Sequence, residues 1–170
     1  MAESPQKSVS IDPFEVSKCD LIILCLPTPL DQHQQPNLSY ITDTLHKIGK
    51  FLRKGQVLSL ESTTWPGTTR EILAPYLQNL GFTLGDDFYL IYSPEREDPG
   101  NKSYDVKNIP KIIGGLTENC LTKGTEIYSM FIDTLVPVSS PEIAEMAKLT
   151  ENIQRSVNIG LVNELKMVCH

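Results

Sequence analysis

The sequence lacks the features that mark membrane-spanning, secreted and nucleic-acid-binding proteins. No apolar stretch approaches the ~20 residues that a bilayer requires, and residues 1–10 have no apolar signal-peptide core. Acidic residues outnumber basic ones by 21 to 15, giving a net charge of -6, and no basic run is present that would follow a phosphate backbone. We therefore expect a cytoplasmic protein without membrane or nucleic-acid partners.

Cysteine and histidine are too few and too scattered to predict a metal centre. The four cysteines and three histidines show neither a CxxC pair nor a Cys/His ligand spacing. Cys25 lies in an apolar run and Cys120 in a predicted helix, so both thiols are expected to be reduced, buried and structural. No metal site is predicted.

Short apolar runs alternate with amphipathic segments along the chain, which predicts alternating strands and helices. The predicted strands are residues 21–26, 57–60, 88–92, 111–113 and 134–138, and the predicted helices are residues 39–52, 67–81 and 117–131. The first strand is expected to be buried on both faces, and Pro75 is expected to kink the second helix. This order predicts a parallel sheet with right-handed crossovers, which is half of a doubly wound α/β fold.

The strongest helical pattern is the last one, from Pro141 to about Val168. Ser140 suits the N-cap and Pro141 the first helical position. At 1.5 Å per residue the helix would be roughly 40 Å long, so it is expected to bridge two bodies. One broad, mainly apolar face is formed by Ile143, Met146, Leu149, Ile153, Val157, Gly160, Leu161, Leu165 and Val168.

The polar face of this helix has two open interpretations. It can be a solvated surface supported by pairs such as Glu145 with Lys148 and Glu151 with Arg155. Alternatively, the neighbouring cation and amide of Lys148 and Asn152 can hold an oxyanion. Ligands of open α/β sheets bind beyond the carboxyl ends of the strands, and the segments that follow the predicted strands are CLPTPL, ESTTWPGTT and SPEREDPGN.

These three segments, followed by IPKIIGG and EMAKLTENIQRSVNIGLVNEL, carry a family resemblance. The chain resembles the UDP-glucose/GDP-mannose dehydrogenase family of nucleotide-sugar 6-dehydrogenases over nearly its whole length from Cys19 onward. The form SPEREDPGN is most similar to the branch that acts on UDP-N-acetylhexosamines. The resemblance implies an NAD-dependent, four-electron oxidation of the C6 alcohol of a UDP-sugar to a carboxylate, through an aldehyde captured by a cysteine and a thioester that is then hydrolysed.

The resemblance also implies roles for individual residues. Lys148 would stabilise charge at the reacting oxygen, and Asn152 would complete that oxyanion site. Glu95 would be the general base for thioester hydrolysis and Thr64 would help to hold the water. The nicotinamide side of the cleft would be lined by Pro27, Thr28, Pro29, Glu61, Ser62 and Thr63, and the substrate would be contacted by Arg96 and Glu97. Structural roles compete with these: Glu95 as a solvated loop carboxylate, Thr64 as a turn hydroxyl and Pro27 as a strand terminator.

Two parts of the family pattern are missing from the sequence. There is no GxGxxG turn to hold the cofactor pyrophosphate, and no Gly-rich segment with the nucleophilic cysteine, which Cys169 does not match. We therefore expect an internal portion of such an enzyme, with an incomplete doubly wound (Rossmann-like) sheet. Its expected parts are a loose N-terminal segment (1–18), the latter part of the NAD-binding domain (19–138) and a helix leading to the dimerisation and substrate domains (139–170).

These missing parts leave three functions open. The chain can be a family member that binds NAD weakly and does not oxidise nucleotide sugars by itself. It can instead be an interaction protein that forms a homo-oligomer, or pairs with full-length relatives, through the apolar face of the long helix. A nucleotide-binding module without chemistry is disfavoured, because the phosphate loop is missing.

Overall fold

Five short strands form one sheet, in which their spatial order follows the chain. The computed structural model describes residues 8–95 and 109–169. The strands are β1 (Leu21–Leu24), β2 (Val57–Leu60), β3 (Tyr89–Tyr92), β4 (Lys111–Gly115) and β5 (Leu135–Val138). The helices are α1 (Ser39–Ile48), α2 (Ala74–Asn79), α3 (Glu118–Tyr128) and α4 (Pro141–Val168). The predicted α/β, Rossmann-like sheet with a long C-terminal helix is confirmed.

The sheet is mostly, but not wholly, parallel. Strands β1, β2 and β3 run in the same direction, whereas β4 is antiparallel to β3, with Tyr92 paired to Gly114. Strand β5 is parallel to β4. The expectation of parallel pairing throughout therefore does not hold between β3 and β4. Strand β4 begins at Lys111, beyond the carboxyl end of β3, so the chain re-enters the sheet from the end at which it left.

Two apolar clusters cover the two faces of the sheet. Helices α1 and α2 pack on one face through residues such as Leu45 and Leu77, and α3 packs on the other through Cys120 and Tyr128. Every residue of β2 is buried, because this strand has neighbours on both edges and helices on both faces. The predicted burial of Cys120 is confirmed.

Strand β1 lies at the edge of the sheet and is covered on one face only. Ile22 and Leu24 are buried, whereas the side chain of Ile23 between them is 43% exposed. Cys25, directly after the strand, is exposed as well. The predictions that this strand is buried on both faces and that Cys25 is buried are therefore wrong: an apolar run cannot show which of its faces has a neighbouring element.

The helix predicted over residues 67–81 is interrupted near Pro75. A π-helical turn (Thr69–Leu73) comes first, in which the Ala74 N–H donates to the Thr69 carbonyl, and α2 follows. Pro75 has no N–H for the α-helical hydrogen bond to residue 71, so a change of helix type at this place is physically reasonable. The irregularity predicted at Pro75 is therefore a change from a π-helical turn to an α-helix.

Helix α4 begins at its predicted N-cap and contacts the domain mainly through its first turns. The Ser140 side chain accepts from the Ile143 N–H, and the buried residues of the helix are Pro141, Ala144 and Glu145. A Cβ atom on Gly114 would lie 2.5 Å from the Ser140 carbonyl oxygen, so this glycine allows α4 to start close against β4. No helix in the described part of the chain is long and apolar enough to span a membrane.

The apolar stripe of α4 is exposed, and from Ile153 to Cys169 every side of the helix is exposed, because this part of α4 extends beyond the domain. The exposed members of the stripe are Ile143, Met146, Ile153, Val157, Leu161, Leu165 and Val168. The side that contacts the sheet and its loops is the one that carries Ala144, Glu145 and Lys148. The solvated interpretation therefore does not apply to Lys148, which contacts the segment after β3, whereas Arg155 and Lys166 on the same polar face are exposed.

Candidate active site at the carboxyl ends of the strands

Backbone pairing continues beyond β2 and β3 and places their following residues side by side. The Glu61 N–H donates to the Leu24 carbonyl at 2.9 Å, and the Ser93 N–H donates to the Leu60 carbonyl at 3.0 Å. Ser93 is buried, and its hydroxyl donates to the Ile112 carbonyl at 2.7 Å. The segments that follow β1, β2 and β3 therefore lie side by side beyond the carboxyl ends of these strands, which is where an α/β fold binds its ligands.

Two hydrogen bonds join the segment after β1 to the segment after β2. The Ser62 hydroxyl accepts from the Leu26 N–H at 2.8 Å, and the Thr28 hydroxyl donates to the Thr63 carbonyl at 2.7 Å. Pro27 and Pro29 are exposed beside them. The structure thus brings Pro27, Thr28, Pro29, Ser62 and Thr63 together, while their predicted place beside the nicotinamide stays a prediction.

Thr64 carries an unsatisfied hydroxyl in this region. The residue is 5% exposed, and its Oγ1 makes no well-formed hydrogen bond among residues 8–95 and 109–169, although the Tyr92 phenol lies beside it. A buried hydroxyl without a partner costs folding free energy. A bound ligand or water that reaches this oxygen would remove the cost, so Thr64 has the chemistry of a ligand-binding group.

Glu61 is held by a buried polar cluster. Its side chain is 8% exposed, and its Oε2 lies 3.0 Å from Lys111 Nζ, whose side chain is 13% exposed. The Tyr128 hydroxyl donates to Glu61 Oε1 and lies 2.8 Å from Ser59 Oγ. Burial and the charge of Glu61 raise the pKa of Tyr128, which keeps its phenol protonated and able to donate.

Lys148 reaches from α4 to the segment after β3. Its ammonium group donates to the Glu95 carbonyl oxygen at 2.6 Å. Glu95 and Asn152 are each partly buried, and Asn152 follows Lys148 by four residues, one turn further along α4. The structure thus brings Lys148 to the backbone of the predicted base, while the predicted roles of Lys148, Glu95 and Asn152 stay predictions. Arg96 and Glu97, the predicted substrate contacts, lie outside the described residues.

A second buried carboxylate fixes α4 against the segment after β2. Glu145 Oε2 accepts from the Gly67 N–H at 2.6 Å, and Oε1 accepts from the Thr69 N–H at 2.9 Å and the Thr69 hydroxyl at 2.7 Å. Burial raises the pKa of Glu145, and these hydrogen bonds act in the opposite direction. The carboxylate caps the start of the π-helical turn, so the predicted pairing of Glu145 with Lys148 is wrong.

Sequence reasoning did not find Lys111, Tyr128 and Glu145. Lys111 lies in the segment IPKIIGG, but nothing in the sequence shows that it is buried against Glu61. Tyr128 is indistinguishable from an apolar-face residue of a helix. Glu145 gave no signal either, because Thr68 is a residue type that can cap a helix, and only the structure shows that its side chain does not do so.

Comparison with known proteins assigns the family. Residues 6–132 match the model of the NAD binding domain of the UDP-glucose/GDP-mannose dehydrogenase family. The chain belongs to this family. The matched domain supports NAD as the cofactor of this dehydrogenase-family chain.

Similar proteins cover most of this family member. UDP-N-acetyl-D-glucosamine 6-dehydrogenase of Pseudomonas aeruginosa is 36% identical over 170 residues, which is 99% of this chain and 40% of the relative. The solved UDP-N-acetyl-mannosamine dehydrogenase Cap5O of Staphylococcus aureus has 38% identity and a TM-score of 0.80, covering 88% of this chain and 37% of that one. The UDP-D-ManNAc dehydrogenase of Pyrococcus horikoshii has 34% identity and a TM-score of 0.81, over 89% and 36%.

The match covers only a part of each relative. This chain spans about 40% of the length of the curated Pseudomonas aeruginosa relative. Its sequence contains no GxGxxG, the turn that brings backbone N–H groups to a dinucleotide pyrophosphate. The buried Thr64 hydroxyl beyond β2 is a group that a bound ligand such as NAD could contact, whereas the sequence has no GxGxxG motif for the pyrophosphate.

Proposed function

We propose that this chain forms part of the active site of an NAD-dependent UDP-N-acetylhexosamine 6-dehydrogenase. The observation that carries the proposal is the contact between Lys148 and the Glu95 carbonyl. This contact joins a cation on α4 to the backbone of Glu95, beyond the carboxyl end of β3, which is where this fold binds ligands. Asn152 follows Lys148 by one helical turn. The named activities of the relatives support a UDP-sugar with a 2-acetamido group as substrate.

Lys148 and Asn152 would stabilise negative charge on the reacting oxygen. An ammonium group and an amide N–H₂ are both donors, and in a partly buried site they interact more strongly with an oxyanion than they do in water. In the structure Lys148 donates to a neutral carbonyl. A negatively charged oxygen is a better acceptor, so substrate would compete with the Glu95 carbonyl for this ammonium group.

Glu95 and Thr64 would handle water at the same place. A carboxylate can take a proton from an attacking water, which suits the hydrolysis of a thioester. The unsatisfied Thr64 hydroxyl could hold that water in position. Arg96 and Glu97 are proposed to contact the substrate, since they directly follow Glu95 in the sequence.

The nicotinamide end of NAD is proposed to lie against the segments after β1 and β2. Pro27, Thr28 and Pro29 would form one wall. The other wall would come from residues 61–63, with Ser62 and Thr63 joined to the first wall by hydrogen bonds. When bound, NAD supplies the acceptor for hydride from C6 of the sugar.

The 170-residue chain is proposed to be catalytically incomplete. Its sequence has neither a GxGxxG turn nor a Gly-rich cysteine segment. It would therefore hold NAD weakly and lack the nucleophile for the second oxidation. The cytoplasmic location predicted from the sequence stays a prediction.

Two preparations test this proposal. The purified chain is mixed with NAD and with UDP-N-acetylglucosamine, UDP-N-acetylmannosamine or UDP-glucose, and NADH absorbance is expected to stay flat. A chimera in which this chain replaces the aligned part of the Pseudomonas aeruginosa relative is expected to form NADH with one of the two N-acetylhexosamines. Lys148→Met in the chimera should lower kcat by about 10²–10³-fold, the usual effect of removing one oxyanion-stabilising donor.

The outcomes separate the parts of the proposal. NADH formation by the purified chain would contradict its incompleteness. A folded chimera that turns over no UDP-sugar, or one whose kcat is unchanged by Lys148→Met, would contradict the active-site assignment.

A second candidate function is supported by the outward apolar stripe of α4. Val157 is 62% exposed and Leu161 is 57% exposed, although both lie on one face of a regular helix. Exposed apolar stripes of this length are typical of helix–helix interfaces. We propose that α4 pairs with a second copy of this chain or with a full-length relative, and sedimentation of the purified chain tests this.

A further inference from the structure

Two lysines hold consecutive carbonyl groups in the segment after β3. Lys111, at the start of β4, donates to the Pro94 carbonyl at 3.3 Å. Lys148, on α4, donates to the Glu95 carbonyl at 2.6 Å. Backbone pairing with the β2 segment weakens along this segment: the Ser93 N–H donates to the Leu60 carbonyl at 3.0 Å, but the Glu95 N–H donates to the Glu61 carbonyl at only 3.5 Å. The position of Glu95 therefore depends on the two lysines more than on strand pairing.

Lys111 acts on the peptide plane that contains the Glu95 N–H. The Pro94 carbonyl and the Glu95 N–H belong to one planar peptide group. Lys111 binds the carbonyl end of that plane, and the backbone carbonyl of Glu61 accepts from its N–H end. The contact at the carbonyl end opposes rotation of the plane that the long N–H contact alone would allow, and so restricts the direction in which the Glu95 side chain leaves the backbone.

Lys111 is itself held by a buried anchor. Its second contact is Glu61 Oε2 at 3.0 Å, and the other oxygen of that carboxylate accepts from the Tyr128 hydroxyl. Tyr128 is fully buried on α3 and its hydroxyl also lies 2.8 Å from Ser59 Oγ. Lys111 therefore cannot change its position without breaking contacts to two other elements.

Stability alone is a poor explanation for this cluster. The free-energy cost of removing two charged groups from water offsets most of their mutual attraction. Apolar side chains of similar size at the same positions often give a protein equal stability. A charged pair does provide direction, because the ammonium group must point at its acceptors. The acceptors here are a fixed carboxylate and the carbonyl beside the proposed base.

We infer that Lys111 is a positioning residue for Glu95, with Glu61 and Tyr128 as its anchors. The inference rests on the proposed function in assigning the role of base to Glu95. It gives the Glu61 carboxylate a structural task in addition to its proposed place beside the nicotinamide, since both of its oxygens have protein partners.

Amide hydrogen exchange of the ¹⁵N-labelled chain tests, without substrate, whether Lys111 restrains the backbone at Glu95. The measured quantity is the exchange rate of the Glu95 amide divided by that of Leu90, a buried amide of β3. Lys111→Met should raise this ratio by about tenfold, the factor that the loss of one hydrogen bond to a charged group produces. Lys111→Arg, which retains charge and donors, should restore most of it. Lys123→Met, in a surface pair with Glu126, is the matched control and should leave it unchanged.

The results that would overturn the inference are equally specific. A Lys111→Met chain in which the ratio is unchanged, or in which Glu95 and Leu90 accelerate alike, would show that the cluster only stabilises the fold. If Lys111→Met does not fold, Tyr128→Phe decides, because it removes only the anchoring hydroxyl. This variant should raise the ratio, and an unchanged ratio would contradict the inference.

Turnover separates the inference from the proposed function. In the chimera, Lys111→Met should lower kcat and leave KM for the UDP-sugar unchanged, because a displaced base slows the chemistry and not the binding. If the chimera is inactive with every UDP-sugar, the proposed function fails while the exchange ratio still decides whether Lys111 holds Glu95. An active chimera with the raised exchange ratio but unchanged kcat would show that the hold has no catalytic role.

Discussion

The ammonium group of Lys148 lies 2.6 Å from the carbonyl oxygen of Glu95, although 53 residues separate them in the chain. This contact connects the first half of α4 to the segment after β3, while the second half of the helix, from Ile153 onward, is exposed on every side. The arrangement explains how a helix that begins beside β4 can contribute to a site at the carboxyl ends of the other strands.

Replacing Lys148 should loosen the attachment of α4 to the domain. Lys148→Met removes a partly buried, charged hydrogen bond and leaves the stem of the side chain in place, so the free energy of unfolding should fall by about 1 kcal/mol. Urea titration followed by circular dichroism measures it. Lys166→Met, on the exposed end of the same helix, should have no measurable effect. Equal losses in the two variants would show that the Glu95 contact does not stabilise the fold.

The buried Glu145 should matter more than its neighbour Glu142. Glu145→Ala leaves the N–H groups of Gly67 and Thr69 without an acceptor, at a cost of about 2–4 kcal/mol in the free energy of unfolding.

Glu142→Ala is the matched control for this prediction. It removes the partly exposed ion pair with Arg70 and a hydrogen bond with the side chain of Ser140 at the start of α4, so its cost should be about 1 kcal/mol. Similar values for the two variants in urea unfolding would contradict the capping role of Glu145.

Local features of the fold were predictable from the sequence, and long-range ones were not. The range of β2 follows from its apolar run, and the start of α4 follows from the Ser140 cap and Pro141. The direction of β4 was missed, because an apolar run has no information about which way its strand enters the sheet. The exposure of Ile23 was missed because β1 is an edge strand, a property of its neighbours and not of its own residues.

The same distinction applies to the candidate site. Lys148, Asn152, Glu95 and Thr64 were proposed from the resemblance. In the structure Thr64 and Glu95 follow the carboxyl ends of β2 and β3, and Lys148 reaches the backbone of Glu95 from α4, while their roles and that of Asn152 stay predictions. The cluster around Glu61 could not be proposed, since its hydrogen bonds join residues 50 and 67 positions apart. Neither periodicity nor a local motif indicates such a pairing.

Two glycines, one beside the start of α4 and one within its exposed part, should respond oppositely to alanine. Gly114→Ala places a Cβ atom 2.5 Å from the Ser140 carbonyl oxygen, and the resulting displacement of backbone should cost about 1–3 kcal/mol. At Gly160 the space is open, since a methyl group there would meet no atom of the described residues within 4 Å. Gly160→Ala should therefore raise helicity and stabilise α4 by about 0.5–1 kcal/mol, the helix-propensity difference.

Circular dichroism at 222 nm and the Tm of both glycine variants test this pair. A lower Tm is expected for Gly114→Ala, and a stronger helical signal without loss of Tm for Gly160→Ala. An unchanged Tm in Gly114→Ala would show that the start of α4 can move away from β4 at little cost, contrary to the close contact in the structure.

The apolar stripe of α4 should control self-association if it is an interface. Val157→Lys combined with Leu161→Lys introduces two charges into the centre of the stripe while retaining good helix formers. Each buried Val or Leu contributes about 1.5–3 kcal/mol to association, so the dimer dissociation constant should rise at least about tenfold. Sedimentation velocity over a range of concentrations measures it.

Ser156→Lys with Asn163→Lys adds the same charge to the other side of the helix and should leave association unchanged. A parent chain that sediments as a monomer at every concentration would contradict self-pairing through α4, and equal weakening by both double variants would show that added charge, not the stripe, controls association.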